Sequence, residues 1–260
     1  TEIKCHHWIS ISALLIMKKV RERKRPKTRA EVEELLREIR AQRGYLLPHH
    51  GLMAVAAPNL LEAYNETYIN LAFGNENISP AAREFVWLII EAIARDAIAT
   101  HHIARWRDAG GTDTDLEIAI KLAAFAEGAG VFSFVSEHWQ AHLPDYEKET
   151  VYRSGLAKIV DNSNIPAGWV EIALAAAHAC KRQWWAFQLH VRGAYETDVS
   201  EGELADGLSL TTFPSGVANF VEACELWRQL ILSGAVKATE PYLAWAEMSG
   251  QGGFDGAKKP

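Results

Sequence analysis

The apolar positions of this chain fall at helical spacing almost throughout, and capping residues punctuate the segments they mark. Thr28 and Glu31 form a capping box ahead of EVEELLREIRAQ, and Gly44 closes that run. Pro58 opens NLLEAYNETYINLAF, which Gly74 stops. Ser79-Pro80 begins AAREFVWLIIEAIARDAIATHHIARWRDA, ended by Gly110-Gly111; its length predicts two helices, with Asp96 as the N-cap of the second. Further helices are predicted over 113–126, 129–143, 146–160, 166–181, 183–197, 201–212, 217–233 and 237–248. No stretch alternates with period two between hairpin turns, so no strand is predicted and the fold class is all-α. WLIIEAIA and IALAAAHAC are apolar nearly all round, which places them inside a helical core.

The chain also repeats itself. A shift of 88 positions brings His102 onto His190, Leu116 onto Leu204, Leu122 onto Leu210, Phe125 onto Phe213, Gly128 onto Gly216, Phe132 onto Phe220, Glu137 onto Glu225 and Trp139 onto Trp227, without a gap. Thr112 with Asp115 falls on Ser200 with Glu203, two helix starts of the same type. The period is too long for a solenoid and suits a duplicated small domain. The expectation is two tandem helical repeats packed about a pseudo-two-fold axis. Residues 1–25 read as a flexible leader, 26–145 as the first repeat, 146–248 as the second and 249–260 as a disordered tail.

Composition narrows the function classes. With 48% hydrophobic and 23% charged residues the chain reads as an ordinary soluble globular protein. A net charge of −6 argues against a dedicated nucleic-acid binder, and the basic run Lys18–Lys27 reads as a solvated arm. Cys5, Cys180 and Cys224 form no CxxC pair, which excludes a disulfide scaffold and fits a reducing compartment. The apolar run Trp8–Met17 is about half a membrane span, and its positive charges follow rather than precede it. A cytoplasmic protein is expected, with a small-molecule substrate and no nucleic-acid or membrane partner. Neither half looks self-sufficient, so a homo-oligomer is expected as well.

The segments ISPAAREFVWLIIEAIARDAIATHHIARWRDAG and IPAGWVEIALAAAHACKRQWWAFQLHVRGA resemble the signature of the carboxymuconolactone decarboxylase and alkylhydroperoxidase D-like superfamily. So does the lead-in GYLLPHHGLMAVAAPNLLEAYNETYINLAFG. That signature places a Glu on a helix ahead of a His; here Glu84 precedes His102 and Glu171 precedes His190. Where the peroxidase members carry CxxC, this chain has Arg95 and Ile98, then Gln183 and Ala186, so dithiol peroxidase chemistry is excluded. The resemblance therefore implies the decarboxylase branch: a cofactor-independent lyase, without metal, acting on a small aromatic-derived or lactone carboxylic acid. It also implies assembly as a dimer or trimer.

By the same resemblance His102 and His190 are the proton donors, with Glu84 and Glu171 as their partners. Glu and His in an apolar pocket make a competent acid–base pair near neutral pH. Arg95 or Arg192 is placed to hold a substrate carboxylate. Trp184 and Trp185 offer walls for a planar substrate, and His50 or His49, beside Pro48, lines an entrance. The second copy is closer to the decarboxylase pattern and is favoured as the active one. Two other classes stand beside this reading. One is a metal-dependent oxygenase or hydrolase, for which His138 and His142, at i and i+4, suit two ligands. The other is a non-catalytic binding or assembly protein that keeps the fold alone.

Overall fold

The computed structural model describes residues 23–74, 77–161 and 163–253. Most of the expected leader lies outside them, with Cys5, the apolar run Trp8–Met17 and the start of the basic run; so does the end of the expected tail. The described residues are helical and contain no strand. The chain divides into two compact units, Thr1–Gly74 and Asn75–Pro260.

The first unit holds α1 (Arg29–Arg43), α2 (Pro48–Ala56) and α3 (Pro58–Phe73). The capping box forms as the sequence predicts: Thr28 accepts from the Glu31 N–H, and the Glu31 carboxylate accepts from the Thr28 N–H. Gly44 ends α1 in the left-handed region at φ 83, where a side chain is disfavoured. Helix α2 was not predicted. It begins on Pro48, and the Leu47 N–H donates to His50 Nδ1 in place of a conventional cap. Leu35, Ile39, Ala54 and Leu61 form the core between the three helices. Arg23, read as part of a solvated arm, is anchored instead: its guanidinium donates to Glu38 and Glu62, each at 2.7 Å. The acidic residues on α1 and α3 hold it there.

The second unit holds α4 (Pro80–Ala94), α5 (His101–Asp108), α6 (Asp113–Glu127), α7 (Ala129–His138) and α8 (Lys148–Val160). After these come α9 (Ala167–Lys181), α10 (Trp184–Tyr195), α11 (Glu201–Ser209) with a 3-10 turn at Leu210–Thr212, α12 (Val217–Leu232) and α13 (Glu240–Glu247). Helices α4 and α9 pack against each other at the centre; α6 also lies on α4, and α10 on α9. Burial explains their composition. Every residue of α4 from Ala82 to Ile90 is buried, and every residue of α9 from Val170 to Ala179. The alanines of α9 let neighbouring helices approach closely on all sides.

Both central helices stop in the same unusual way. Arg95 (φ 58) and Arg182 (φ 55) occupy the left-handed region, the only non-glycine residues to do so among those described. Each returns its N–H to a carbonyl of the last turn. Asp96 does not cap the next helix as expected. Its Oδ1 accepts from the Ile98 N–H at 2.9 Å, closing a turn, and α5 starts only at His101. The helix expected over 129–143 ends at His138, because Gln140 folds the chain back by donating to the carbonyls of Leu143, Pro144 and Tyr146. Asp113–His138 is long and apolar enough to cross a membrane by length and composition alone; a turn at Gly128 divides it into α6 and α7.

Candidate functional site

Helix α4 carries Glu84 and, two turns further along the same face, Glu91. Helix α5 brings His102 back against the first of these. His102 Nδ1 lies 2.8 Å from Glu84 Oε2, and Arg83 Nε donates to the other oxygen at 3.3 Å. Both side chains are buried, and Trp87 stacks on the imidazole with ring centroids 4.5 Å apart. Burial lowers the His102 pKa against the opposing pull of Glu84, so the ring is neutral. A carboxylate accepts, so Nδ1 carries the hydrogen and Nε2 presents a lone pair.

A cavity of about 340 Å³ opens beside this pair, lined by His102, Glu91, Asp96, Leu88, Ile103 and Leu116 among others. The Glu91 Oε2 atom is buried without a hydrogen-bond partner. Burial, with the negative charge of Asp96 second, pushes the Glu91 pKa up to about 8. At neutral pH this carboxyl holds its proton. The cavity thus has a neutral imidazole, His102, and a protonated carboxyl, Glu91, among its apolar walls.

The second pair repeats the contact and then closes it. His190 Nδ1 lies 2.8 Å from Glu171 Oε2, and Arg153 of α8 donates to the other carboxylate oxygen at 2.5 Å. The Tyr152 hydroxyl, also from α8, sits 2.8 Å from His190 Nε2 and 2.8 Å from His178 Nε2. His178 Nδ1 in turn meets the Gln183 side-chain amide at 2.9 Å. Burial lowers both histidines, His178 to about 3. Glu171 is pushed up by burial, yet the hydrogen bonds from His190 and Arg153 hold it below its ordinary value. Both ring nitrogens of His190 are therefore committed inside the protein. Gly193 on α10 makes room for the cluster, since a Cβ there would lie 2.2 Å from Glu171 Oε2.

The four acid–base residues named from the sequence thus meet as two pairs; the remaining ones scatter. Arg95 stands exposed at the cavity rim, 3.8 Å from Glu127. Arg192 is engaged at the surface, donating to both oxygens of Glu149 at 2.9 Å, and so faces neither histidine pair. Trp185 meets Tyr152 edge-on at 5.4 Å, with the Lys148 ammonium over its ring. Trp184 packs by Phe187 and Arg182. His50 belongs to the first unit and is wholly buried. His138 is exposed beside Glu137, and among the described residues no three His, Cys, Asp or Glu side chains are grouped to hold a metal.

Sequence reasoning missed Glu91, Arg83, His178, Tyr152 and Arg153. A signal existed for two of them: Glu91 and His178 each lie seven residues after their glutamate, on the same helix face. Tyr152 and Arg153 had none. Comparisons with protein-family models, with characterised proteins and with solved structures found no match.

Proposed function

We propose that this protein is a cofactor-independent, decarboxylase-like lyase acting on a small lactone or aromatic-derived carboxylic acid, with its active site in the cavity beside Glu84, His102 and Glu91. One observation carries the reading: the Glu91 carboxyl, with a buried and unpartnered oxygen and a pKa raised by burial, lines the same cavity as an imidazole oriented by a second carboxylate. Loss of CO2 breaks a carbon–carbon bond and sends its electron pair into a conjugated carbonyl, giving an enolate. Glu91 supplies the proton that quenches it and regains one from solvent. His102 accepts a hydrogen bond at Nε2 while Glu84 holds the ring in that tautomer. Arg95 at the rim is placed to meet an entering carboxylate. The donor is thus Glu91 rather than the histidine, because burial keeps His102 neutral.

The reading includes a duplication, with 80–138 and 167–232 as copies of one unit of the carboxymuconolactone decarboxylase and alkylhydroperoxidase D-like type. Three matched features support it: the Glu–His contacts through the same atoms, the left-handed Arg95 and Arg182, and the capping boxes at Thr112 and Ser200. The direct packing of α4 on α9 suits a pseudo-two-fold relation. Under this reading the first copy works and the second is scaffold.

The test is CO2 release from a panel of β-keto, vinylogous and lactone carboxylates, followed with wild type, Glu91→Gln, His102→Gln and Arg192→Gln. Loss of about two to four decades in rate is expected for the first two variants and none for the third. Turnover that survives in Glu91→Gln and His102→Gln refutes the site, and silence across the whole panel refutes the substrate class.

A further inference from the structure

We infer that the first unit carries a binding site for a small oxyanion, formed by the buried guanidinium of Arg43 together with His50. Arg43 ends α1 and is only 5% exposed. Three tyrosine rings surround it, with centroids 3.8 Å (Tyr68), 5.2 Å (Tyr45) and 5.4 Å (Tyr64) from the guanidinium carbon. Such rings attract a cation through their faces, and they leave its in-plane N–H groups unmet. Nη2 alone finds an acceptor in that plane, the Tyr45 hydroxyl at 3.1 Å, which in turn donates to the Tyr68 hydroxyl at 2.8 Å. Nε and Nη1 are buried with no acceptor, and no nitrogen of Arg43 donates to a carboxylate among the described residues. A buried, unneutralised guanidinium is an outlier, since such groups are normally paired.

His50, close enough to feel the Arg43 charge, makes the same demand. Its Nδ1 accepts from the Leu47 N–H at 3.0 Å, so the hydrogen of the neutral ring sits on Nε2. That nitrogen is buried and also lacks an acceptor. The ring lies 6.5 Å from Tyr45 and 5.9 Å from Tyr64, two of the rings that enclose Arg43. Burial, and next the Arg43 charge, hold the His50 pKa at about 4, so no second positive charge competes. Arg43 and His50 therefore present donors only, with one fixed positive charge. The group that satisfies them is an acceptor carrying negative charge, and the guanidinium geometry favours a carboxylate or phosphate oxygen. Three aromatic walls limit it to a compact anion or the head of a larger one.

The test uses the full chain in a buffer free of oxyanions, titrated calorimetrically with inorganic phosphate, sulfate and acetate, with chloride at matched ionic strength as control. Saturable one-to-one binding of phosphate or acetate is expected, weakened at least tenfold in Arg43→Lys, which keeps the charge and loses the planar fork. Phosphate without acetate identifies a phosphate-type ligand, and the reverse a carboxylate. Crystals of the wild type soaked in selenate remove any dependence on a variant that folds poorly: an anomalous peak is expected within hydrogen-bond distance of Arg43 Nε or Nη1. Absence of saturable binding for all three anions overturns the proposal. Ordered water alone on those nitrogens at high selenate overturns it equally.

Discussion

Replacing Glu91 with glutamine tests the electrostatics of the cavity without any substrate. Burial and the Asp96 charge raise this carboxyl from its ordinary 4.5 to about 8. Between those values the native protein holds a proton that the unfolded chain has released. The slope of unfolding free energy with pH is then negative, and stability falls as pH rises. The penalty is complete above about 8. At 1.36 kcal/mol per pH unit the ceiling is about 5 kcal/mol. Water in an open cavity screens the charge, and about 2 to 3 kcal/mol is the expected size. Glutamine is neutral and nearly isosteric at every pH. Glu91→Gln should therefore match wild type near pH 5 and exceed it by that amount at pH 9. Urea denaturation of both proteins in half-unit steps from pH 5 to 9 measures the difference directly. A constant offset of either sign would mean that Glu91 is ionised or paired throughout, and the acid role would fall with it.

The second site yields three further expectations. Gly193→Ala puts a Cβ 2.2 Å from Glu171 Oε2 and 2.6 Å from Arg153 Nη2, so the part-buried pair must shift; a loss of about 1 to 3 kcal/mol is expected by thermal melting, and an unchanged midpoint contradicts it. Tyr152→Phe strips the hydroxyl from two buried imidazole nitrogens, at about 1 to 3 kcal/mol for each group left unsatisfied; wild-type stability in the variant would show that the hydroxyl bridges nothing of consequence. His178 titrates near 3 when folded and near 6.5 when unfolded, so the unfolded chain binds the extra proton between these values. Stability is fully present above about 6.5 and drains away as pH falls toward 3; His178→Asn should flatten that acid limb, and parallel curves for the two proteins count against a neutral buried ring.

Local chemistry was legible in the sequence and tertiary closure was not. The capping boxes at Thr28, Thr112 and Ser200 are four-residue patterns whose partners lie in the same turn, so the helices they start could be placed in advance. The Glu–His pairs were visible as a spacing, because both members lie on helices joined by a short connection. The start of α5 fell later than expected because Asp96 closes a turn with the Ile98 N–H instead of capping a helix. Helix α8 was predicted as a helix over 146–160, yet nothing in its pattern shows that Tyr152 and Arg153 would enter the second pair. The two adjacent tryptophans drew attention to that same pair, yet Glu171 and Tyr152 take both ring nitrogens of His190. Whether a buried polar atom ends up satisfied depends on what packs over it, which no single segment encodes.

Two substitutions account for the contrast between the sites, on the reading that they descend from one unit. Seven residues after its glutamate, the first has Glu91 where the second has His178; after the left-handed arginine, the first has Asp96 where the second has Gln183. Burial first, and the Asp96 charge second, keep the proton on Glu91, whose Oε2 stays unpartnered beside open space. An imidazole facing a carboxamide can be satisfied on both nitrogens, one by Gln183 and the other by Tyr152. The closed chain suits a core that must not move. An orphaned carboxyl is costly to the fold, and a chain with no use for it would replace it by any apolar residue at a gain in stability. On the proposed function, this unpartnered carboxyl lining the cavity, and not the mere survival of a Glu–His pair, is what would separate a working site from a relic.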